Sequence, residues 1–355
     1  MTIDDAIRAL DDPTRLRIMR LLASMELAVG EIAQVLGQSQ PRVSRHIKIL
    51  CDSDLAERRK EGAWVFLRSS VAENAASPLR AAIARLLAVA EQEDAAFGRR
   101  CAEDRQHLDA IRSARESHAL DWFARHAEEW DRLRSLHIAD GPVEAALHEM
   151  LFDADDRAGS LGRVLDVGTG TGRMAELFAG HASHVVAFDK SPDMLRIARA
   201  RLQHLPAAKV ELVQGDFAQL PFPACSFDTV LFHQVLHYAQ APEAVLAGAA
   251  RVTAPGGRIA IVDFAAHDRE DLRQSHAHAR LGFSDAQIDT MMRDAGFVPQ
   301  QTRALAGHEL VVKLWTGLRH EDRVAVLEPH SIPNQSRSGL DTLANLHTLG
   351  QSRKA

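Results

Sequence analysis

Three acidic residues each lie within a short apolar segment or just after one. Asp166 lies within the apolar segment 163–167, which runs directly into the turn Gly168-Thr169-Gly170-Thr171-Gly172. Asp189 and Asp216 follow two later apolar segments. A glycine-rich turn lets the backbone approach a ligand closely, and carboxylates accept hydrogen bonds from hydroxyl and amino groups. The pattern predicts a ligand that carries both kinds of group.

The glycine spacing argues against a dinucleotide. Such a site has Gly-x-Gly-x-x-Gly, whereas here Gly172 comes one place early and Arg173 stands where the last glycine would be. Asp189 lies 17 residues after Gly172, about where a carboxylate can accept both hydroxyl protons of an adenosyl ribose. Asp216 could accept from an exocyclic amine while the backbone N–H of Phe217 meets a ring nitrogen. An adenosine without a diphosphate fits this set best.

A parallel sheet would bring these residues to one edge. Residues 163 to about 316 alternate apolar strands with helical patterns, which is typical of strands joined by helical crossovers. Open α/β sheets bind ligands at the carboxyl ends of their strands. His233 is predicted at that end of the fourth strand, and His237 and Tyr238, the only tyrosine in the chain, follow it. The three are candidate catalytic residues.

The histidines allow two interpretations. A histidine at the strand end can titrate near neutrality and take a proton from a substrate, but it could equally cap a helix or line the cleft. His276 and His278 could line a pocket or bind a metal, although we expect a solvated helix face. The three cysteines, Cys51, Cys101 and Cys225, are too widely spaced for a CxxC pair, so we expect neither a disulfide framework nor a metal.

The amino-terminal residues have a different pattern, in which two helices flank a glycine turn and a basic hairpin follows. Residues 29–36 are predicted as a helix that stops at Gly37, and Ser39 could cap the next helix, with Pro41 in its first turn. This is the helix-turn-helix arrangement. Residues 55–68 predict two strands about a Lys-Glu-Gly turn. Together these elements predict a winged helix.

The second helix of that pair is suited to enter a major groove. Val43, Ile47 and Leu50 share one face that would dock the helix. The polar residues that remain could meet bases or phosphates; with three bases of the hairpin, the predicted DNA contacts are Ser39, Gln40, Arg42, Ser44, Arg45, His46, Lys48, Arg58, Arg59 and Lys60. Since the whole chain has a net charge of -6, a DNA-binding surface must be local.

Both halves resemble known families. Asp12-Pro-Thr-Arg-Leu-Arg-Ile, Ser39-Gln-Pro-Arg-Val-Ser-Arg-His-Ile-Lys-Ile-Leu and Arg58-Arg-Lys-Glu-Gly-Ala-Trp-Val-Phe resemble the ArsR family of winged-helix repressors. The glycine turn, the acids and the strings Leu220-Pro-Phe and Pro255-Gly-Gly-Arg-Ile-Ala-Ile-Val-Asp resemble the class I S-adenosylmethionine-dependent methyltransferases. The second resemblance is strongest to the branch that methylates small molecules, including ubiquinone/menaquinone C-methyltransferases.

The methyltransferase resemblance implies a Rossmann-like, mostly parallel seven-stranded sheet that binds S-adenosylmethionine or S-adenosylhomocysteine. It implies that Asp166, Gly168, Gly170 and Gly172 border the amino-acid half of the ligand, Asp189 the ribose, Met194 one face of the adenine, and Asp216 and Phe217 its edge. The remaining predicted cofactor contacts are Thr169, Lys190, Gly215 and His233.

The ArsR resemblance implies a homodimer on a two-fold operator, with residues 78–93 as a dimerisation helix. Metal-sensing members carry Cys-Val-Cys where this chain has Ala28-Val29-Gly30, and residues 78–90 contain no His or Cys. Thiolate ligation at that site is therefore excluded, and we expect no metal.

Length and composition complete the expectations. The 355 residues suggest two or three domains, which we place at 1–95 (winged helix and dimerisation), 96–160 (helical connector and methyltransferase lid), 161–318 (methyltransferase) and 319–355 (polar, flexible tail). The start lacks the features of a secretory signal and no apolar stretch is long enough to span a bilayer, so we expect a cytoplasmic protein with no membrane partner.

Two functions follow from this architecture. The favoured one is a transcriptional regulator whose operator binding is modulated by the adenosyl ligand. The alternative is an active methyltransferase for a small acceptor, whose winged helix regulates its own genes. An interaction scaffold that has lost both activities is disfavoured, because both acids and the glycines are in place.

Overall fold

The computed structural model describes residues 1–61, 64–72, 77–135, 139–152, 160–307 and 309–320. The predicted tail lies outside these residues from position 321 onward. We call residues 1–72 the winged-helix part and residues 160–320 the methyltransferase part. Cys51, Cys101 and Cys225 are free thiols.

The winged-helix part packs four helices against a small antiparallel sheet. Its elements are α1 (Ile3–Leu10), α2 (Pro13–Leu22), β1 (Leu27–Ala28), α3 (Val29–Val35), α4 (Gln40–Asp52), β2 (Ala56–Glu61) and β3 (Trp64–Ser69), with sheet order β1-β3-β2. The helix-turn-helix and the two-stranded hairpin are confirmed, but Lys60 and Glu61, predicted in the turn, lie in β2 and pair with Val65 and Trp64.

The glycine turn and the docking face of α4 are as predicted, but the cap of α4 is not. Gly37 has φ of +62°, which suits glycine at a helix end. Val43, Ile47 and Leu50 are fully buried, so they dock α4 onto the core. Ser39 occupies the N-cap position, yet its hydroxyl makes no capping hydrogen bond, and Pro41 lies in the first turn of the helix as predicted.

Four helices connect the two parts: α5 (Pro78–Glu93), α6 (Ala95–His126), α7 (Trp130–Ser135) and α8 (Asp140–Phe152). The 32-residue α6 begins at the cap Asp94, which accepts hydrogen bonds from two backbone N–H groups of its first turn. Near its start, Asp104 accepts from Arg17 of α2 at 2.5 and 2.7 Å. The helix therefore begins on the winged-helix part, and its far end lies against the methyltransferase part, as described below.

The methyltransferase part is a seven-stranded sheet with helices on both faces. Its strands are β4 (Arg163–Val167), β5 (His184–Asp189), β6 (Val210–Gln214), β7 (Phe227–His233), β8 (Thr253–Phe264), β9 (Phe297–Ala306) and β10 (Val311–Arg319). Its helices are α9 (Arg173–Phe178), α10 (Pro192–Leu202), α11 (Pro242–Val252), α12 (Asp271–Ser275) and α13 (Asp285–Ala295). The order is β6-β5-β4-β7-β8-β10-β9, and β10 pairs antiparallel with both neighbours. The predicted mostly parallel seven-stranded sheet is confirmed.

Strand order places the ligand site. From β4 the chain proceeds to β5 and β6 on one side and then returns to place β7 on the other side. The loops after β4 and β7 consequently diverge and leave a crevice at the carboxyl ends of the strands. Buried apolar clusters cover both faces of the sheet and fix this edge.

Candidate functional site

A cavity of about 540 Å³ lies at that edge of the sheet. We call it the rim cavity. Most of the predicted cofactor and catalytic residues line it, namely Asp166, Gly168, Thr169, Gly170, Asp189, Lys190, Met194, Asp216, Phe217, His233 and Tyr238. Residues spread over the ends of four strands, β4, β5, β6 and β7, are thus brought together in one place.

The first strand ends in a buried carboxylate. Asp166 is 1% exposed and accepts a 2.5 Å hydrogen bond at Oδ2 from the hydroxyl of Thr169. Burial raises the pKa of Asp166 to about 7, with the nearby Asp189 adding to the rise and Thr169 opposing it. A cationic ligand group placed here would stabilise the ionised form.

The second strand ends in a carboxylate that the backbone holds in place. Oδ2 of Asp189 accepts from the N–H of Gly170 and Oδ1 from the N–H of Ser191, both at 2.8 Å. Burial raises the pKa of Asp189, and these backbone hydrogen bonds oppose the shift. Gly170 has φ of +54°, a conformation that favours glycine. The side chain is therefore fixed at the place expected for a ribose.

Two of the predicted glycines have a packing reason to be glycine. A Cβ at Gly172 would lie 3.1 Å from the Cβ of Ala198 on α10. A Cβ at Gly215 would lie 2.6 Å from the ring of Phe188. These contacts explain both glycines without a ligand, so their proposed cofactor roles rest on the resemblance alone.

The third acid is engaged by a lysine. Asp216 accepts from Nζ of Lys190 at 2.7 Å, and the same ammonium donates to Glu116 of α6 at 2.8 Å. Although partial burial favours the neutral amine, the two carboxylates raise the pKa of Lys190. A ligand amine at Asp216 would share this carboxylate with Lys190. Met194, which is 2% exposed, also lines the cavity.

His233 is a neutral imidazole at neutral pH. It is the last residue of β7 and is 9% exposed. Burial, assisted by the charge of Arg134, lowers the pKa of His233 to about 3. Burial and Asp263 raise the pKa of the Tyr238 phenol, which stays protonated. Neither group is therefore a ready proton acceptor in this arrangement, so their predicted catalytic roles stay predictions.

His237 lies behind Tyr238 in a buried dyad. Its Nδ1 is 2.7 Å from Oδ1 of Asp263, which is fully buried, and its Nε2 has no hydrogen-bond partner among the described residues. The ring of His278 packs against it at 4.2 Å between centroids. The expectation of a solvated helix face for His276 and His278 is wrong, because both follow the end of α12 and His278 is only 5% exposed.

The connecting helices supply a wall that the motifs did not indicate. One face of α6, from Asp109 to Phe123, lines the rim cavity, and Phe123 packs edge-on against Tyr238 at 4.9 Å. Arg134 of α7 also lines it; its side chain is 7% exposed, and its Nε has no hydrogen-bond partner among the described residues. Nothing near Arg134 in the sequence marks it as a ligand contact.

The winged-helix part also contributes to the cavity. Met25, in the loop between α2 and β1, is one of the lining residues and contacts the guanidinium of Arg112 on α6. Sequence reasoning missed this residue because its contact with the site depends on how the two parts pack.

The predicted DNA contacts on α4 are mostly exposed. Ser39, Gln40, Arg42, Ser44, Arg45 and Lys48 are exposed, while His46 is half-buried. Lys48 pairs with Asp52 at 2.7 Å, and Nδ1 of His46 lies 3.6 Å from Asp12. A row of polar side chains therefore lies opposite the docking face.

The hairpin divides its three bases between two faces. Arg58 and Lys60 are exposed, whereas Arg59 is held by Glu26 and by Glu61, with hydrogen bonds of 2.8 to 3.0 Å. Alternate residues of a strand face opposite sides, which explains the division. DNA would have to compete with two carboxylates for Arg59.

Two negative findings apply to the described residues only. None of their helices combines the length and hydrophobicity needed to cross a bilayer. Nor do they contain a group of three or more His, Cys, Asp or Glu side chains placed to bind a metal ion.

Comparisons with known proteins agree with both halves of the fold. The methyltransferase domain model matches residues 165–261, and the model for bacterial regulatory proteins of the arsR family matches residues 12–58. A demethylmenaquinone methyltransferase from Tropheryma whipplei is 41% identical over 101 residues, which is 28% of this chain and 41% of that protein. The chain thus spans about two fifths of the length of that relative.

Two further similarities concern methyltransferases. An uncharacterized methyltransferase from Geobacillus kaustophilus is 31% identical over 175 residues, covering 48% of this chain and 78% of that protein. The crystal structure of Burkholderia thailandensis 1,6-didemethyltoxoflavin-N1-methyltransferase, with bound 1,6-didemethyltoxoflavin and S-adenosylhomocysteine, matches 58% of this chain and 89% of its own, at 23% identity and a TM-score of 0.44. The chain belongs to the methyltransferases, and it carries an arsR-family helix-turn-helix ahead of the methyltransferase fold.

Proposed function

We propose that this protein is a DNA-binding transcriptional regulator in which S-adenosylmethionine or S-adenosylhomocysteine, bound in the rim cavity, modulates operator affinity. One observation carries the proposal: Met25 of the winged-helix part lines the same cavity as Asp166 and Asp189. A ligand changes DNA affinity only by the free energy with which it prefers one arrangement of the molecule. Because both parts line the cavity, a bound ligand contacts both directly and can stabilise one arrangement of the two parts over another.

The rim residues fit the adenosyl ligand. Asp189 would accept the ribose hydroxyls, because the backbone already holds its carboxylate, and Asp216 would accept from the adenine amine. Asp166 would lie near the ligand ammonium, which would stabilise its ionised form. Arg134, whose Nη2 donates to Asp140, would pair with the ligand carboxylate through Nε, which has no hydrogen-bond partner among the described residues.

The winged-helix part would bind operator DNA in the cytoplasm as a homodimer. Leu86 and Val89 of α5 are 61% and 46% exposed, three residues apart on one helix face. Exposed apolar side chains at this spacing favour a helix partner. We propose that a second copy of α5 covers them and sets the half-site spacing.

The second candidate is an active methyltransferase for a small acceptor. Aromatic side chains favour it, because Phe123, Trp130 and Tyr238 line the cavity near the glycine turn and would form an apolar wall for an acceptor. Methyl transfer from a sulfonium is an in-line displacement that depends chiefly on proximity. Neutral His233 and protonated Tyr238 would then orient the acceptor rather than accept its proton.

A gel shift on the gene's own upstream DNA tests the first function. The full chain is incubated with S-adenosylmethionine, with S-adenosylhomocysteine or with neither, and calorimetry on the same samples measures ligand binding. We expect retardation to change when ligand is present. Ligand binding with unchanged retardation would reject modulation, and methyl transfer from labelled S-adenosylmethionine to an acceptor would then support the second candidate.

A further inference from the structure

Five charged side chains join the hairpin to the methyltransferase part. This charge cluster consists of Glu26, Arg59, Glu61, Arg273 and Arg280. Glu26, Glu61 and Arg280 are 8%, 7% and 2% exposed, so the cluster lies inside the contact rather than at its rim. Buried charges are tolerated only when they are paired, and breaking one pair leaves an uncompensated charge. Such a cluster therefore favours one arrangement of the two parts.

The pairing crosses between the parts at two points. Within the winged-helix part, Arg59 donates to both carboxyl oxygens of Glu26 and to Glu61. From the methyltransferase part, Nη1 of Arg280 donates to Glu26 at 3.1 Å, and Nη2 of Arg273 donates to Glu61 at 2.8 Å. Both carboxylates are thus shared between Arg59 and an arginine of the methyltransferase part.

Aromatic rings of β3 complete the contact. The guanidinium of Arg280 lies 4.3 Å from the ring centroid of Phe66, and that of Arg273 lies 4.5 Å from the ring of Trp64. The backbone N–H of Leu281 donates to Glu61 at 2.7 Å. One face of the hairpin is therefore occupied by α12 and the segment that follows it.

The charge cluster is connected to the rim cavity at two places. Glu26 directly follows Met25, which lines the cavity. The backbone N–H of Arg280 donates at 2.9 Å to the carbonyl of His237, which precedes the lining residue Tyr238. A ligand that touches Met25 and Tyr238 would thus stabilise both anchors of the cluster.

We propose that the charge cluster is a latch that keeps Arg59 from DNA, and that a ligand in the rim cavity strengthens the latch and weakens operator binding. The sign follows from linkage: a ligand that binds better when its walls are in place disfavours the released state, in which Arg59 reaches phosphate. The ligand's part in this inference rests on the proposed function, whereas the latch itself can be tested without ligand.

The test releases the latch without changing net charge. Glu26→Gln/Arg280→Met removes one charge of each sign, so a change in DNA affinity cannot come from overall electrostatics. By fluorescence anisotropy on the upstream duplex, without ligand, we expect several-fold tighter binding. We also expect the slope of log K against log salt concentration to steepen by about one, because one further cation meets phosphate. Adding Arg59→Met should remove both gains.

A matched control and a second variant protect the result. Arg269→Met/Asp271→Asn removes an exposed pair at the start of α12, together with the contact of Arg269 to Glu309, and it should leave DNA binding unchanged. If the first variant is unfolded by circular dichroism, Glu61→Gln/Arg273→Met serves instead, since it removes the other carboxylate shared with Arg59 and likewise leaves the net charge unchanged. Unchanged affinity and salt slope in a folded latch variant would overturn the latch.

The ligand arm separates the latch from the proposed function. S-adenosylhomocysteine should weaken DNA binding by the wild-type chain and should have little effect on DNA binding by the latch variant. Calorimetry should show that both proteins bind it. Suppose that bound ligand does not change the DNA affinity of the wild-type chain, while the latch variant still binds DNA more tightly than the wild type. The proposed regulation and the ligand's part in the latch are then both overturned. The release itself would then stand.

Discussion

The ligand rim and the DNA-reading surface of α4 are built in opposite ways. At the rim, Asp166 and Asp189 are held by hydrogen bonds from Thr169 and from backbone N–H groups before any ligand arrives. On α4, Arg42 and Arg45 are exposed side chains on a helix docked through its opposite face. The rim is preorganised, whereas the arginines lose side-chain freedom only when DNA binds.

This difference has an energetic consequence. Burial raises the pKa of both rim acids, which means that the fold disfavours their charge until a ligand compensates it. The exposed bases of α4 incur no such cost, and their contacts are screened by salt. Substitutions at the rim should therefore remove binding, whereas substitutions on α4 should reduce it by graded, salt-dependent amounts.

The largest expected effect is at Asp189. Asp189→Ala should weaken binding of S-adenosylhomocysteine about 100-fold or more, because hydrogen bonds to a charged group contribute about 1.5 to 3 kcal/mol each. Calorimetry measures the loss. Asp193→Ala removes an acid from the first turn of α10 and should keep near wild-type affinity. Retention of ligand binding by a folded Asp189→Ala protein would refute the ribose assignment.

The DNA surface should give a smaller effect at Arg45. If Arg45 contacts a base, Arg45→Ala should weaken operator binding by roughly 1 to 3 kcal/mol and relax specificity at one position. Lys48→Ala, as a phosphate-type control, should weaken all duplexes alike and lower the salt slope by about one. Ligand affinity should not change in either variant. An unaltered gel shift would remove Arg45 from the DNA contacts.

The sequence indicated which residues meet at the rim more directly than it indicated the surroundings of the hairpin bases, for a local reason. The turn from Gly168 to Gly172 follows directly from β4, and Asp189 ends the neighbouring strand, so spacing along the chain implies their proximity. Arg59 shows the limit of such reasoning. Its three-base run predicted DNA contact, but its actual partner Glu26 is 33 residues away and shared with Arg280.

The same limit explains the other missed residues. Met25 and Arg134 line the rim cavity because of the way α6 and α7 pack against it. Their distance in sequence from β4 gives no indication of this contact. His278 is buried because its ring packs on His237, which the alternation of polar residues around it does not reveal. Periodicity and turn chemistry predict elements, whereas contacts between distant elements require the fold.

The smallest expected effect is a pH dependence that should appear at the rim and be absent from α4. With a pKa raised from 3.8 to about 7, Asp166 is largely protonated at pH 6 and ionised at pH 8. Since the ligand ammonium favours the ionised form, affinity for S-adenosylhomocysteine should rise several-fold over that range. Calorimetry at the two pH values measures the rise.

The ligand-free protein should show the opposite trend. Between pH 3.8 and about pH 7, Asp166 binds more protons in the folded state than in the unfolded state. This group's contribution to stability therefore falls as pH rises. The asparagine side chain of the Asp166→Asn variant cannot ionise. The substitution should therefore remove the pH dependence of ligand affinity and this group's contribution to the pH dependence of thermal stability. If the Asp166→Asn variant keeps the wild-type pH dependence of ligand binding, the titrating group is not Asp166. The contrast between a buried rim acid whose charge the ligand stabilises and the exposed bases of α4 would then be refuted.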